Sequence, residues 1–295
     1  MSRDGIPNTI IVALCTCLVC SFLVSAAAIG LRDRQDRNRS LDIKSNIVSV
    51  AGFSSEEIRD GGGVEEMFRK RIQPMIINLE TGEEAVEEVM KLFNFASADE
   101  AYSKYDQFKA SKAPLSEGKA NALKRSDDIA GISNLEKYGF VYLLTDEAQN
   151  VKKYILPIRG RGLWSTLKGF IALDPDLQTV AGLTYYEHAE TPGLGGEVDN
   201  PGWKKSWIGK KVYAAEGKLN DDGSLPDVKL NVAKGTADNE FSVDGLAGAT
   251  ITARGVSEMV QFWLNESGYG RFIANRKARQ STSLGLANSG ENSDG

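Results

Sequence analysis

Residues able to hold an anion occur together near the end of the chain, between Asp244 and Thr252. The segment reads Asp-Gly-Leu-Ala-Gly-Ala-Thr-Ile-Thr and is followed by a helical pattern of apolar residues. The first turn of a helix presents unpaired N–H groups and the positive end of its dipole, which together attract anions. Gly248 and Ala249 permit close approach to the backbone, and Thr250 and Thr252 supply hydroxyls. The segment therefore predicts an anion site just before a helix.

An alternative interpretation of the same residues needs no ligand. Thr250 or Thr252 can act as the N-cap of the helix, and the glycines can form an ordinary turn. The helix itself is predicted over residues 254–264, where apolar residues recur at helical spacing. Residue chemistry alone leaves both interpretations open.

Composition argues against several other kinds of site. The net charge is −5 and no basic run lies beside aromatic residues, so nothing supports nucleic-acid binding. Cys15, Cys17 and Cys20 all lie in the apolar N-terminal segment, and His188 is the single histidine. We therefore predict no metal site and no catalytic residue, and any redox chemistry must come from a bound cofactor.

The N-terminal segment predicts a membrane anchor over residues 1–31. No charged residue occurs from Gly5 to Leu31, which is longer than the roughly 20 residues that a helix needs to cross a bilayer. A cleaved signal peptide is the alternative, because three alanines at 26–28 offer a cleavage site. The length of the apolar run favours an uncleaved anchor. Arginines directly after the run would keep the following domain in the cytoplasm.

The remaining chain is divided by its periodicity. Helices are predicted over 64–72, 83–93, 200–209 and 254–264. Strands are predicted over 75–79, 140–144, 152–158, 169–173, 179–186, 229–233 and 240–243, of which the second to fifth form two hairpins. Residues 32–128 are then a polar stalk and helical part, residues 129–279 a folded domain, and residues 280–295 a disordered tail rich in Ser, Asn and Gly.

Two further segments could contribute to an anion site. The loop at residues 157–164, between the hairpins, contains Arg159, Arg161 and Trp164, which could hold a phosphate or a planar ring. A connection with surface cations is an equally good interpretation of this loop. The segment Thr191-Pro192-Gly193-Leu194-Gly195 follows the second hairpin and is also explained as an ordinary turn.

Together these segments resemble the FMN-binding domain of the C subunit of the sodium-translocating NADH:quinone reductase. Residues 244–252 look like the flavinylation motif of that family, with Ala247 where the family usually has Ser or Thr. Residues 191–195 are similar to its threonine-proline-glycine-leucine-glycine segment. The resemblance covers nearly the whole chain, including the anchor, the stalk and the 157–164 loop.

The resemblance implies a covalent cofactor. In that family a flavin transferase joins the FMN phosphate to the last threonine of the motif through a phosphoester, and that position here is Thr252. The other motif positions that the resemblance assigns to cofactor binding are Asp244, Gly248, Ala249 and Thr250. The residues expected near the flavin are Arg159, Trp164, Thr191, Gly193, Leu194 and Gly195.

The resemblance also implies a fold and a function. The fold class is α+β, a mostly antiparallel FMN-binding domain with flanking helices, preceded by one transmembrane helix. The implied function is single-electron transfer toward quinone within a complex that translocates Na⁺, with no catalysis by the chain alone. The implied partners are the other subunits, a flavin transferase and the membrane, and not nucleic acid.

The resemblance also bears on which side of the membrane the domain lies, and it leaves two alternative functions. The family places this domain in the periplasm, which we prefer to the arginine signal because large domains translocate largely regardless of flanking charge. One alternative is the G subunit of the Rnf ferredoxin:NAD oxidoreductase, which shares the FMN domain. The other is a membrane-anchored binding module without a cofactor.

Overall fold

The computed structural model describes residues 5–214 and 217–290, which form parts of two units, Met1–Lys44 and Ser45–Gly295. The first unit is helical, and its helix α1 runs over Ile6–Val50, so that its last residues belong to the second unit. Within the described ranges α1 is the one helix long and apolar enough to cross a membrane. This helix corresponds to the predicted anchor.

The beginning of the region predicted as a polar stalk and helical part, residues 32–128, differs from the structure. Helix α1 continues through residue 50, and Ile47 and Val48 near its end are fully buried in the second unit. Thr184 Oγ1 donates a hydrogen bond to Asn46 Oδ1 at 3.1 Å. The apolar residues that interrupt the polar sequence therefore pack into the folded domain, which is why the domain begins at residue 45.

The second unit is built on a five-stranded antiparallel sheet. The strands in chain order are β1 (Ile72–Asn78), β2 (Ala120–Ala122), β3 (Asn134–Glu136), β4 (Tyr138–Thr145), β5 (Val151–Arg161), β6 (Thr166–Leu173), β7 (Val180–Glu187), β8 (Asn231–Val232) and β9 (Ser242–Val243). The main sheet has the order β1-β4-β5-β6-β7, with every neighbouring pair antiparallel. Strands β2 and β3 pair antiparallel, and β8 and β9 pair parallel. Both predicted hairpins are present, as β4–β5 and β6–β7.

Helices surround this sheet. After α1 they are α2 (Ser55–Asp60), α3 (Val64–Arg71), α4 (Val86–Phe93), α5 (Ala98–Lys104), α6 (Gln107–Ala110), α7 (Pro201–Lys205), α8 (Thr250–Leu264) and α9 (Gly270–Gly290). Short 3₁₀ helices cover Leu115–Glu117 and Gly195–Asp199. The predicted class, an α+β fold with a mostly antiparallel sheet, is confirmed.

Helix α8 packs directly on strand β5, because glycines on both elements leave out side chains at the crossing. A Cβ added to Gly160 would lie 2.5 Å from Met259 Cβ. A Cβ added to Gly255 would overlap the Arg161 carbonyl oxygen. Met259 is fully buried in the core between the helix and the sheet. The helix at whose start the anion site is predicted is therefore fixed against the centre of the sheet.

Two predicted boundaries near the site were wrong. Helix α8 begins at Thr250, four residues before the predicted start, because the Ala253 N–H already bonds to the Ala249 carbonyl at 2.9 Å. The predicted loop at 157–164 is largely strand, because β5 continues to Arg161 and only residues 162–165 connect it to β6.

Two predicted divisions of the chain also differ from the structure. Strand β1 falls within the helical part predicted for residues 32–128, yet it pairs with β4 of the main sheet. The tail predicted as disordered from residue 280 belongs to α9 as far as Gly290. Arg279 donates to the Glu83 carboxylate and Gln280 to the Pro175 carbonyl, and these bonds hold the helix on the domain. Residues 291–295 lie outside the described residues.

Candidate functional site

Three segments of the domain meet around one side chain. They are the first turn of α8, the β5–β6 loop at residues 162–165 and the segment after β7 at residues 190–196. Thr252 Oγ1 in α8 donates a hydrogen bond to Glu190 Oε2 at 2.5 Å. The Trp164 N–H in the β5–β6 loop donates to Glu190 Oε1 at 3.0 Å. We call this convergence the Thr252 site.

Thr252 is the third residue of α8, within its first turn rather than before the helix as predicted. Its side chain is buried, with 1% of the residue exposed, whereas Thr250 at the start of the helix is exposed. The N-cap residue is Ala249, which has no side chain able to cap the helix. The interpretation of either threonine as an N-cap is therefore wrong, and the Thr252 hydroxyl is used for a tertiary contact instead.

Glu190 carries a negative charge in this site. Burial acts to raise its pKa, but hydrogen bonds from the Thr252 hydroxyl and from the N–H groups of Trp164, Leu163 and Ser165 outweigh burial. The net result is a pKa below the ordinary value for glutamate. The carboxylate is therefore ionised at neutral pH, although only 5% of the residue is exposed. Glu190 was not predicted as a site residue, because nothing in its local sequence shows that it reaches α8.

A compact turn, Thr191–Gly196, covers the Thr252 hydroxyl. The Gly196 N–H donates to the Thr191 carbonyl at 2.9 Å, so the turn closes on itself. A Cβ added to Gly195 would lie 2.6 Å from Thr252 Oγ1, which only glycine avoids. At the other side of the turn, a Cβ added to Gly248 would lie 3.0 Å from Leu194 Cδ2. The turn and the motif predicted from sequence are thus in direct contact.

The same three segments expose apolar side chains beside the buried hydroxyl. Exposure is 69% for Trp164, 44% each for Leu163 and Leu194, and 51% for Ile251. Trp164 is held in place because its Nε1–H donates to Thr191 Oγ1 at 3.1 Å. Exposed apolar surface next to buried polar groups is a feature of ligand sites. The arrangement offers a surface for a planar apolar ring.

Asp244 and the loop that follows it support the start of α8. Asp244 Oδ1 accepts a hydrogen bond from the Ala237 N–H at 2.7 Å, and its carbonyl accepts from Trp203 Nε1 at 2.8 Å. Trp203 packs edge-on against Trp207, whose side chain is fully buried. An open cleft of about 410 Å³ lies along Trp203, Asp244 and Ala247. Asp244 therefore fixes the loop and is bonded within the protein.

The structure places the Arg159 side chain in a different environment from the one predicted. Arg159 is buried in β5, where its Nη1 donates to Glu136 Oε2 at 2.5 Å and its Nη2 to the Asn134 carbonyl at 2.8 Å. Burial raises the pKa of Glu136, and the Arg159 charge opposes that rise. The guanidinium thus neutralises a buried carboxylate and is not among the groups bonded to the Thr252 site, so it is a core residue of the sheet.

Comparison with known proteins supports the location of the site. The model of the FMN-binding domain family matches residues 162–265, which include Trp164, Glu190 and Thr252. The chain is 41% identical over 274 residues to the C subunit of the Na(+)-translocating NADH-quinone reductase of Pseudomonas aeruginosa, covering 93% of this chain and 97% of that protein. It is also 41% identical over 273 residues to the same subunit of Vibrio anguillarum, covering 92% and 96%. The chain belongs to the family of the C subunit of the Na(+)-translocating NADH-quinone reductase.

A solved structure of an NqrC protein has the same fold. The crystal structure of Shewanella oneidensis NqrC superimposes with a TM-score of 0.58 at 29% identity, covering 73% of this chain and 88% of that chain. The family resemblance predicted from sequence is confirmed, and so is the assignment to an oxidoreductase complex. The alternative assignment to the Rnf complex is not supported by these relatives.

Proposed function

We propose that this chain is the electron-transfer subunit of a sodium-pumping NADH:quinone reductase and carries FMN on Thr252 through a phosphoester. The observation that supports this most directly is the Thr252 hydroxyl itself. It lies in the first turn of α8, is bonded to the carboxylate of Glu190, and falls within the match to the FMN-binding domain.

The residues present fit an attached FMN. Its phosphate would lie at the start of α8, where free N–H groups and the helix dipole stabilise negative charge by about 0.3–1 kcal/mol. Gly195 and Gly248 leave space where a Cβ would meet Thr252 and Leu194. The exposed Trp164 side chain is available to the apolar ring. When bound, FMN supplies one-electron chemistry, and the protein supplies its position and the surrounding charges.

The proposal extends to location and partners. Helix α1 anchors the protein in the bacterial inner membrane, and the domain from residue 45 faces the periplasm. A flavin transferase attaches the FMN, and the other subunits of the complex donate and accept its electrons as they pass toward quinone. Covalent attachment suits this location, because FMN lost outside the cytoplasm could not easily be replaced.

The test is the mass and in-gel flavin fluorescence of the denatured full-length protein, co-expressed with a flavin transferase. The wild type should carry one covalent FMN, and Thr252→Ala should carry none. Thr252→Ser keeps a hydroxyl at the same place and should retain part of the modification. Thr250→Ala is the matched control, because it removes an exposed hydroxyl two residues away and should still be modified. Flavin that persists on denatured Thr252→Ala would overturn the assignment.

A further inference from the structure

We propose that Glu190 is the base that accepts the Thr252 proton when FMN is attached, so that the acceptor protein supplies its own general base. This inference rests on the proposed function, because it requires Thr252 to be the attachment site. It assigns a role in maturation to a buried carboxylate that electron transfer does not explain.

The geometry is that of a nucleophile and its base. Thr252 Oγ1 and Glu190 Oε2 are 2.5 Å apart, just below the roughly 2.6–3.2 Å separation of such pairs. A threonine hydroxyl is a weak nucleophile unless an adjacent base removes its proton. Both groups are buried, so water does not compete for the hydrogen bond between them. The hydroxyl proton therefore already points at the group that would receive it.

The surroundings keep Glu190 ionised, as a base must be, although they also lower its affinity for a proton. The Leu163 N–H donates to Oε2 at 3.3 Å and the Trp164 N–H to Oε1 at 3.0 Å. These donors, with the Thr252 hydroxyl, leave the pKa of Glu190 below its usual value despite burial. The same N–H groups fix the carboxylate in one orientation. A structural role alone would be served equally well by a neutral acceptor.

The step balances with a flavin dinucleotide as the donor, in which FMN is joined to a second nucleotide by a pyrophosphate. The bond from Thr252 Oγ1 to the FMN phosphorus forms, and the pyrophosphate P–O bond on the other side of that phosphorus breaks. The second nucleotide leaves as a monophosphate, and the hydroxyl proton passes to Glu190 and then to water. No atom is oxidised or reduced. FMN alone would be a poor donor, because its phosphate would have to expel hydroxide.

The donor can reach the hydroxyl without disturbing the base. Thr252 is covered by the turn Thr191–Gly196, which is closed by the bond from the Gly196 N–H to the Thr191 carbonyl and is also held by Trp164 Nε1 through Thr191 Oγ1. The Glu190 carboxylate is bonded instead to the β5–β6 loop and to α8. Lifting the turn removes the Gly195 contact and the bond between Trp164 Nε1 and Thr191, while the base stays beside the nucleophile. The hydrogen bonds of the Glu190 carboxylate thus do not involve the turn, although Glu190 directly precedes it and Gly195 lies against Oε2.

The first experiment compares attachment rates for full-length Glu190→Gln and wild type, with purified flavin transferase and a flavin dinucleotide. General-base catalysis contributes typically 10²–10⁴-fold, so Glu190→Gln should be modified about 100-fold more slowly or worse. Glu187→Gln is the matched control, because it makes the same change at a half-exposed carboxylate paired with Lys168. It should be modified at the wild-type rate. Glu190→Asp keeps a carboxylate, which lies one methylene group further from Thr252, and should recover part of the rate.

The pH dependence of the rate ratio separates a base from a structural residue. The wild-type base is ionised throughout the range from pH 6 to 9, whereas Glu190→Gln depends on hydroxide to remove the proton. The ratio of wild-type to variant rates should therefore fall about tenfold for each pH unit of increase. His188 lies beside Glu190: its Nδ1 accepts from the Glu190 N–H at 3.2 Å, and its Nε2 bonds to Asp199. His188 and the added transferase are the same in both reactions, so their own pH dependence cancels in the ratio. Repeating the series on His188→Asn removes its contribution.

The outcomes distinguish this inference from the proposed function. If Glu190→Gln is modified on Thr252 at the wild-type rate, Glu190 is not the base and the proposed function stands. A slow variant with a pH-independent rate ratio would show that Glu190 acts through structure alone and would also overturn the inference. Absence of flavin from wild type, or its presence on another residue, would instead overturn the proposed function.

Discussion

Gly195 provides the sharpest test of the turn that covers Thr252. An alanine Cβ at this position would lie 2.6 Å from Thr252 Oγ1 and 2.7 Å from Glu190 Oε2, both closer than a Cβ is found to other atoms. Gly195→Ala must therefore either lift the turn or separate the hydroxyl from the carboxylate. Overpacking of this kind costs about 1–3 kcal/mol, and loss of a hydrogen bond to a charged group costs about 1.5–3 kcal/mol. The variant either lifts the turn or breaks the hydrogen bond, so the two costs do not add. We therefore expect the free energy of unfolding to fall by about 1–3 kcal/mol in total.

Gly193→Ala is the matched control for this variant. Gly193 lies in the same turn and has a φ of +76°, but a Cβ there would meet no atom within 4 Å. An alanine in the left-handed region costs about 1–2 kcal/mol, so the two variants should lose similar stability. Only Gly195→Ala disturbs Thr252, and displacement of a reacting group by about 1 Å can cost about 100-fold in rate.

The assay measures unfolding and flavin attachment on the same full-length proteins. Both variants should show lower melting temperatures, by about 2–4 °C for each kcal/mol in a domain of this size. Flavin attachment should slow at least about tenfold in Gly195→Ala and stay near wild type in Gly193→Ala. Equal loss of attachment in both variants would show that destabilisation is the cause. Attachment at the wild-type rate in Gly195→Ala, together with wild-type stability, would refute the contact itself.

Three further predictions concern other parts of the chain. Arg159→Met leaves the buried Glu136 carboxylate unpaired and should cost about 3–5 kcal/mol at pH 8. Burial raises the pKa of Glu136 and Arg159 opposes that rise, so the pKa rises further in the variant and its folded state takes up protons that the wild-type fold does not; urea unfolding should therefore show this loss shrinking as the pH falls toward 5 and growing as it rises. Trp164→Ala should change the flavin absorption spectrum but shift the unfolding free energy by less than about 0.5 kcal/mol, because Trp164 is 69% exposed. Alkaline phosphatase fused after Gly295 should be active, whereas activity from only a cytoplasmic reporter would place the domain on the other side of the membrane.

The fold was predictable where the signals are local. The β4–β5 and β6–β7 hairpins follow from strand patterns on both sides of a polar turn, and the structure has both. The pairing of β1 with β4 could not be inferred, because about 60 residues of helix and loop separate the two strands. The start of α8 was missed because its N-cap, Ala249, lacks the side chain by which helix starts are recognised.

The site was predictable in part for a similar reason. Thr252 and the glycine turn belong to short segments with distinctive residues, so each could be identified separately. Glu190 matters only because the fold brings it to α8, and the burial of Arg159 could not be inferred from the segment in which it lies. Its partner, Glu136, lies more than 20 residues away on β3. Burial and charge pairing between distant segments are properties of the tertiary structure.

The glycine crossing of α8 and β5 bears on the electron transfer that we propose for this chain. Electron tunnelling slows steeply with distance, so a carrier works best when its attachment point varies little in position. At this crossing Gly255 lies directly against the backbone of Arg161, and Gly160 lies against the fully buried Met259. Thr252, the proposed attachment point, is therefore held on the central sheet. For an FMN carried there as proposed, movement would be confined to the phosphoester linkage, and the transfer distance to each partner would be set mainly by how that partner docks.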